Sequence, residues 1–189
     1  MTLTELFSGL RTYRRFLQTP VPPALLREAV DQARLAASAA NAQVLRYVVV
    51  TEPATVAALQ PHVKWAGYLP PEDGVPKAEE RPTAFIAVVK TADAGAFSDI
   101  DVGLSVHAMT AVLWEGGVGS CLMGAIDRPA IKSLLPIAEE DELRLMVALG
   151  YPAHQSRVVP LTDTVKYALD QNRDYIVPKR DLEDVTTFL

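Results

Sequence analysis

The hydrophobic positions along this chain follow two spacings, and the changes from one to the other divide it into helices and strands. Apolar residues three and four positions apart predict helices over 2–10, about 23–37, 53–59, 98–114 and 127–135. Runs rich in β-branched and other apolar residues predict strands over 44–51, 84–90, 118–123 and 143–149. Helix starts are marked by cap residues: Thr2 and Glu5 stand at capping-box spacing, and Asp127 begins the helix predicted over 127–135.

The helix predicted over 98–114 differs from the others in its pattern. Apolar residues surround most of its circumference, which is typical of a buried helix rather than of a helix with one solvated face. We therefore expect this helix at the centre of the structure.

Two segments lack a periodic pattern. Residues 62–82 are rich in proline, and an irregular segment of this length in a compact domain is typical of a lid or binding loop. Residues 153–189 show little periodicity and predict an extended C-terminal arm rather than a part of the core. A basic patch, PKR, lies within this arm at residues 178–180.

Composition limits the class of protein and its surroundings. A chain of 189 residues is long enough to form one domain whose core needs neither disulfide bonds nor a structural metal ion. The net charge of −5 argues against a general nucleic-acid surface, and the apolar runs are too short to span a bilayer. Cys121 is the only cysteine, which fits a reducing compartment, and no secretory signal is evident. We expect a single-domain cytoplasmic protein.

One stretch stands out against this acidic background. Residues 11–16, RTYRRF, hold three arginines, a threonine and two aromatic residues. Arginine binds phosphate through the N–H donors of its planar guanidinium, and a hydroxyl can add another donor. The alternative interpretation is a solvated basic turn.

Several familiar catalytic arrangements are missing from the sequence. The histidines, His62, His107 and His154, lie far apart and no Cys/His cluster exists, so no metal site is predicted. Ser105 and His107 lie inside a predicted helix rather than on a strand-to-helix turn, so we expect ordinary helix positions rather than a nucleophile and its base.

Two further motifs also favour structural roles. The glycines of residues 116–119 follow a helix and enter a strand, the reverse of the order in a dinucleotide-binding fold. Cys121 lies in an apolar strand and is expected to be a small core residue. No catalytic side chain is therefore predicted, which suits an enzyme whose cofactor carries the chemistry.

Motifs along most of the chain match one family in order. They are RTYRRF (11–16), SAANAQ (38–43), DVG (101–103), EGGVGSC (115–121), ALGYP (148–152) and, for a subgroup, VPKR (177–180). In this order they resemble the nitroreductase family of flavin enzymes. The resemblance implies an α+β fold with a central, mostly antiparallel sheet flanked by helices. It also implies an interlocked homodimer with FMN at the subunit interface.

The resemblance further implies a reaction and a phosphate site. Hydride passes from NADH or NADPH to FMN and then, at the same flavin face, to a nitroaromatic, quinone or activated alkene, so the chemistry takes place at flavin N5. The family's arginine-hydroxyl-arginine set, at the phosphate and the pyrimidine end of FMN, corresponds to Arg11, Thr12 and Arg14. Its C-terminal basic pair on the phosphate corresponds to Lys179 and Arg180.

Two more groups of residues follow from the resemblance. Ser38, Asn41 and Gln43 correspond to a loop that contacts flavin, often from the partner subunit. The strand end whose backbone lies near N5 corresponds to Leu122, Met123 and Gly124.

Two other functions remain open on the sequence. One is an FMN-binding sensor or carrier without turnover, and the other is a different flavin reaction such as reductive dehalogenation. Trp65 and Tyr68, in the segment 62–82, are candidate substrate contacts; their alternative role is to pack that segment onto the body of the protein.

Overall fold

The centre of the fold is a four-stranded antiparallel sheet, which we describe from a computed structural model covering residues 1–189. Its strand order is β1-β2-β4-β3, and a smaller sheet in the C-terminal segment has the order β5-β7-β6. The strands are β1 (Leu45–Val50), β2 (Ala84–Lys90), β3 (Gly119–Met123), β4 (Glu142–Gly150), β5 (Ser156–Pro160), β6 (Ala168–Leu169) and β7 (Tyr175–Lys179).

Six α-helices accompany these strands. They are α1 (Leu3–Gly9), α2 (Pro23–Leu35), α3 (Pro53–Leu59), α4 (Pro71–Gly74), α5 (Ser98–Glu115) and α6 (Arg128–Leu134). The predicted caps are confirmed: the Thr2 hydroxyl and Glu5 carboxylate form a capping box, and the Asp127 carboxylate accepts from the Ala130 N–H at 3.1 Å. No helix of the structure is long and apolar enough to cross a bilayer.

Helices cover both faces of the central sheet. Alternate residues of β2 show this, because Ile86 packs with α2 and α5 whereas its neighbour Phe85 packs with α3 and α6. Both side chains are fully buried. The predicted α+β architecture, with a mostly antiparallel sheet flanked by helices, is confirmed.

Helix α5 is less enclosed than its sequence predicts. One side packs against α2 and the sheet, with Val106, Met109 and Leu113 buried. The opposite side of the helix faces outward, and Ile100 and Leu104 are 59% and 48% exposed. The expectation of a helix buried all round is therefore wrong for a single chain, since only one layer of the fold covers it.

The two segments without periodicity contain local structure. Residues 62–82 include α4 and a 3₁₀ turn, Ala78–Glu80. The C-terminal segment forms β5, β6 and β7, and its Tyr175 is 1% exposed. The expectation that this segment takes no part in the buried interior is wrong at Tyr175. Its strands are two to five residues long, too short to give a recognisable period.

Candidate functional site

The stretch RTYRRF is held in an extended form between β3 and the turn after β4. The Tyr13 N–H donates to the Ser120 carbonyl at 2.8 Å, and the Arg15 carbonyl accepts from the Ala153 N–H at 3.0 Å. A Cβ atom on Gly119 would lie 2.8 Å from Cγ of Tyr13, so this approach requires glycine. Extended backbone sends neighbouring side chains in different directions.

The three arginines of this stretch consequently have different surroundings. Arg15 is 4% exposed, lies 3.6 Å from the Glu80 carboxylate and donates to the Arg173 carbonyl. Its role is structural. Arg11 and Arg14 instead border an open cavity beside α5.

This cavity, which we call the arginine cavity, has a volume of about 310 Å³. Its walls come from the residues before β1, from α5, from β3 and from the C-terminal segment. It is lined by Leu10, Arg11, Thr12, Arg14, Gly103, Val106, His107, Thr110, Ser120, Leu122, Tyr167, Val177 and Lys179. The structure therefore brings Arg11, Arg14 and Lys179 together from opposite ends of the chain, and no carboxylate lies among them.

Arg11 has an unused donor at this cavity. Its Nη1 donates to the Leu10 carbonyl at 2.7 Å, whereas its Nε is buried and has no hydrogen-bond partner. A buried donor without a partner destabilises a protein, and a phosphate oxygen would satisfy it. The residues present thus fit the phosphate of a flavin nucleotide.

Gly103 of α5 lines the same cavity as these cations. A Cβ atom on Gly103 of α5 would meet no atom within 4 Å, so the packing of this chain does not require a glycine there. Glycine in the interior of a helix costs about 1 kcal/mol relative to alanine. The bare backbone of α5 at Gly103 leaves room for a planar ring to approach, as a flavin would.

The position of Arg14 is set by residues of the C-terminal segment. Its guanidinium carbon lies 4.3 Å from the ring centre of Tyr167 and 4.9 Å from that of Tyr175. A cation over an aromatic face is held by the negative potential of that face. Its backbone N–H also donates to Nε2 of His154, at 3.0 Å.

His154 is held in one neutral form by these contacts. Nδ1 lies 2.8 Å from the Gln155 carbonyl and donates to it, while Nε2 accepts from Arg14. Burial lowers the pKa of His154 to about 4. His154, Tyr167 and Tyr175 are not predictable as site residues, because no local pattern in the C-terminal segment indicates what they contact.

A second cavity, of about 320 Å³, lies on another side of α5 and includes Ser38 and Gln43. The buried carboxylate of Asp101 holds this loop by accepting from the Ala39 N–H at 2.9 Å. Asn41 is exposed and does not line either cavity. Within one chain, therefore, this loop and the arginine cavity are separate.

The loop also carries backbone strain. Ala40, Asn41 and Gln43 have φ angles of 51°, 54° and 52°, in the left-handed region that non-glycine residues rarely adopt. Such strain is often found at functional loops, where surrounding contacts maintain it.

The remaining candidates for the flavin site fall in different places. Leu122 lines the arginine cavity and is 50% exposed, whereas the side chain of Met123 is buried on the opposite face of β3. Gly124 follows the strand and Arg180 follows β7; both are exposed, and neither lines the cavity.

The two aromatic candidates also separate. Tyr68 packs against Tyr167 with ring centres 5.0 Å apart, which places it next to the arginine cavity. Trp65 lines a different cavity, beside α3.

Residues that the sequence assigns to structural roles are found in such roles. Cys121 is 4% exposed, and burial raises the pKa of its thiol to about 11, so it is a core residue. Ser105 hydrogen-bonds to the Tyr47 hydroxyl, while His107 stacks on Phe7 at 5.3 Å. Because Ser105 and His107 border different cavities, they form no catalytic pair.

Comparison with known proteins identifies the class of protein to which this fold belongs. A model of the Nitroreductase family matches residues 9–151. The chain belongs to the nitroreductase family. Membership places it among the NAD(P)H-dependent flavin oxidoreductases.

Individual relatives agree with this assignment. A protein of Thermus thermophilus, named NADH dehydrogenase, is 30% identical in an alignment that covers 77% of this chain and 84% of the relative. A mutant of the FMN- and NADPH-dependent nitroreductase NfnB, from Sphigopyxis sp. strain HMH, has a TM-score of 0.73 at 16% identity, over 100% and 99% of the two chains. Iodotyrosine deiodinase bound to FMN and 3-iodo-L-tyrosine has a TM-score of 0.70 at 21% identity, over 87% and 97%. These structural similarities show a shared fold.

Proposed function

We propose that the protein binds FMN in the arginine cavity and transfers hydride from NADH or NADPH, through the flavin, to a small organic acceptor. The acceptor would be a nitroaromatic compound, a quinone or an activated alkene, used in a ping-pong cycle. The observation that carries this proposal is the convergence of Arg11, Arg14 and Lys179 on a cavity without a carboxylate. Three cations at one site, none of them in an ion pair, favour an anionic ligand of high charge, such as a phosphate ester.

Bound FMN supplies the hydride chemistry, and the chain positions it. Arg11 and Lys179 would hold the phosphate. Arg14 would lie over the polar edge of the flavin, with its guanidinium kept in place by Tyr167 and Tyr175. The partly exposed strand position Leu122 would lie against the ring and shield it from water.

We propose that a homodimer completes the site. The loop with Ser38, Asn41 and Gln43 lies outside the arginine cavity of its own chain, so in a dimer it would contact the flavin of the partner. The exposed apolar residues Ile100 and Leu104 of α5 would be covered by the second copy. Sedimentation at micromolar concentration tests this part of the proposal, and a folded, stable monomer would contradict it.

The segment 62–82 would border the acceptor. Tyr68 is its link to the site, because its ring packs on Tyr167, a residue of the arginine cavity. Replacement of Tyr68 by alanine should change the KM for the acceptor and leave FMN bound. An unchanged acceptor KM would show that Tyr68 only packs the segment onto the body.

A spectrum and two half-reactions test the proposal as a whole. Protein purified with added FMN should show flavin absorbance in the visible-blue region after gel filtration. Under anaerobic conditions NADH or NADPH should bleach it, and a quinone or nitroaromatic compound added afterwards should restore it. Bleaching without restoration by any acceptor would favour an FMN sensor or carrier, and no retained flavin would overturn the proposal.

A further inference from the structure

A third cavity of the protein lies away from the proposed flavin site. It has a volume of about 600 Å³, between α3 and the segment 62–82. This volume falls within the range of about 300–1,000 Å³ that small-molecule sites occupy. Its walls include Gln60, Val63, Lys64, Trp65, Pro76 and Arg81.

The central sheet separates this cavity from the arginine cavity. Val63 and Trp65 pack with the core cluster that contains Met123. Ser120 and Leu122, on the other face of the same strand β3, border the arginine cavity. The two cavities share no lining residue, so a ligand of the third cavity would not compete directly with flavin.

Gln60 supplies a polar group that the fold does not satisfy. The residue is 9% exposed, and its side-chain Nε2 is buried without a hydrogen-bond partner. It begins a 3₁₀ turn, Gln60–His62, directly at the cavity wall. An unpaired buried amide is unfavourable, and an acceptor atom of a ligand would provide the missing partner.

Two cations border the same cavity. Neither Lys64 nor Arg81 takes part in an ion pair. Glu80, the acidic neighbour of Arg81 in the chain, is directed instead to Arg15 and Arg173. No carboxylate lines the cavity, so its positive charge is not neutralised by the protein.

We propose that this cavity is a second ligand site, for a small aromatic carboxylate. The carboxylate would accept hydrogen bonds from Gln60 Nε2, Lys64 and Arg81, and the ring would lie against Trp65 and Pro76. The cavity offers three hydrogen-bond donors, two of them cationic, beside an apolar wall. This arrangement fits an aromatic acid better than a bare inorganic anion, which would make no use of the apolar wall. Trp65 thereby contacts a ligand other than the flavin acceptor.

The binding test uses the full-length protein loaded with FMN and 4-fluorobenzoate, observed by fluorine NMR. Wild-type protein should bind 4-fluorobenzoate with a Kd below about 1 mM and the neutral 4-fluorobenzamide at least about tenfold more weakly. Lys64→Gln and Arg81→Gln should each weaken benzoate binding by about tenfold or more. Arg27→Gln removes an exposed arginine from α2 and is the matched control; it should keep wild-type affinity. Equal binding by wild type and both cavity variants, or no binding to wild type, would overturn the proposal.

Gln60 provides an independent measurement. Gln60→Met keeps the volume and removes the unpaired amide, so it should weaken the binding of 4-fluorobenzoate by about tenfold or more and raise the Tm of the ligand-free protein by about 2–4 °C. A fall in Tm of that size would show that Gln60 serves the fold rather than a ligand. These variants lie outside the arginine cavity, so their FMN content reports on the proposed function separately.

Discussion

The buried imidazole of His154 makes the stability of this protein depend on pH. In the neutral form Nε2 accepts from the Arg14 N–H and Nδ1 donates to the Gln155 carbonyl. The ring packs between Tyr13 and Tyr175, with ring centres 5.3 Å and 4.8 Å away. A proton on Nε2 would remove the acceptor for Arg14 and place a charge in this buried site.

The size and sign of the effect follow from the pKa of His154. Burial lowers this pKa in the folded protein from its ordinary 6.5 to about 4. Below 6.5 the unfolded chain binds a proton that the folded chain does not, so the free energy of unfolding falls as the pH falls from about 6.5 to about 4. At 1.36 kcal/mol per unit, the full loss is roughly 3 kcal/mol.

Urea unfolding of the wild type and of His154→Gln, from about pH 7.5 to about pH 4.5, measures this loss. The variant should be less stable at neutral pH and should lose less stability on acidification, because it lacks the titrating group. His107→Gln, which replaces an exposed imidazole, is the matched control and should keep the wild-type slope. If wild type and His154→Gln show the same slope over this interval, His154 is not the group responsible.

Three other predictions concern the flavin site, the core and the strained loop. Arg11→Gln and Lys179→Gln should each weaken FMN by about tenfold or more in a fluorescence titration, while riboflavin binding stays unchanged. Arg180→Gln, one residue further on, should have no effect; an equal loss would place Arg180 at the phosphate. Cys121 should resist iodoacetamide in the native state at about pH 8 and react in denaturant, since its pKa is about 11; native labelling at the denatured rate would contradict its burial. Ala40→Gly should raise the free energy of unfolding, measured by chemical denaturation, by about 0.5–1 kcal/mol, because it relieves a left-handed φ of 51°. A lower free energy of unfolding in the variant would show that the strain is absent.

The sequence predicted the features of this fold that depend on near neighbours. Thr2 with Glu5 and Asp127 with Ala130 are contacts three residues apart, so their caps follow from spacing. The six consecutive apolar residues of β2, Ala84 to Val89, predicted a strand, although not that both of its faces would be buried.

Features that depend on distant neighbours did not follow from local patterns in the sequence. His154 contacts Arg14 across 140 positions of the chain, and no pattern around either residue indicates the other. The sequence does not reveal the outward side of α5, because exposed apolar residues such as Ile100 and Leu104 give the same pattern as residues buried in the core. Arg14 and Arg15 are adjacent and chemically identical, but in the folded chain Arg15 lies beside Glu80 and Arg14 lines the arginine cavity. The sequence alone does not distinguish these two positions.

The contribution of both chain ends to the arginine cavity has a consequence for synthesis of the protein. Arg11 leaves the ribosome long before Tyr167 and Lys179, because these two residues lie much later in the chain. Although the N-terminal part can begin to fold while the chain grows, the cavity cannot be complete until Lys179 has been released. Cofactor loading would then be a late event, and a prematurely terminated chain could not retain flavin. Under the proposed function, bound FMN would mark a chain whose synthesis has passed Lys179.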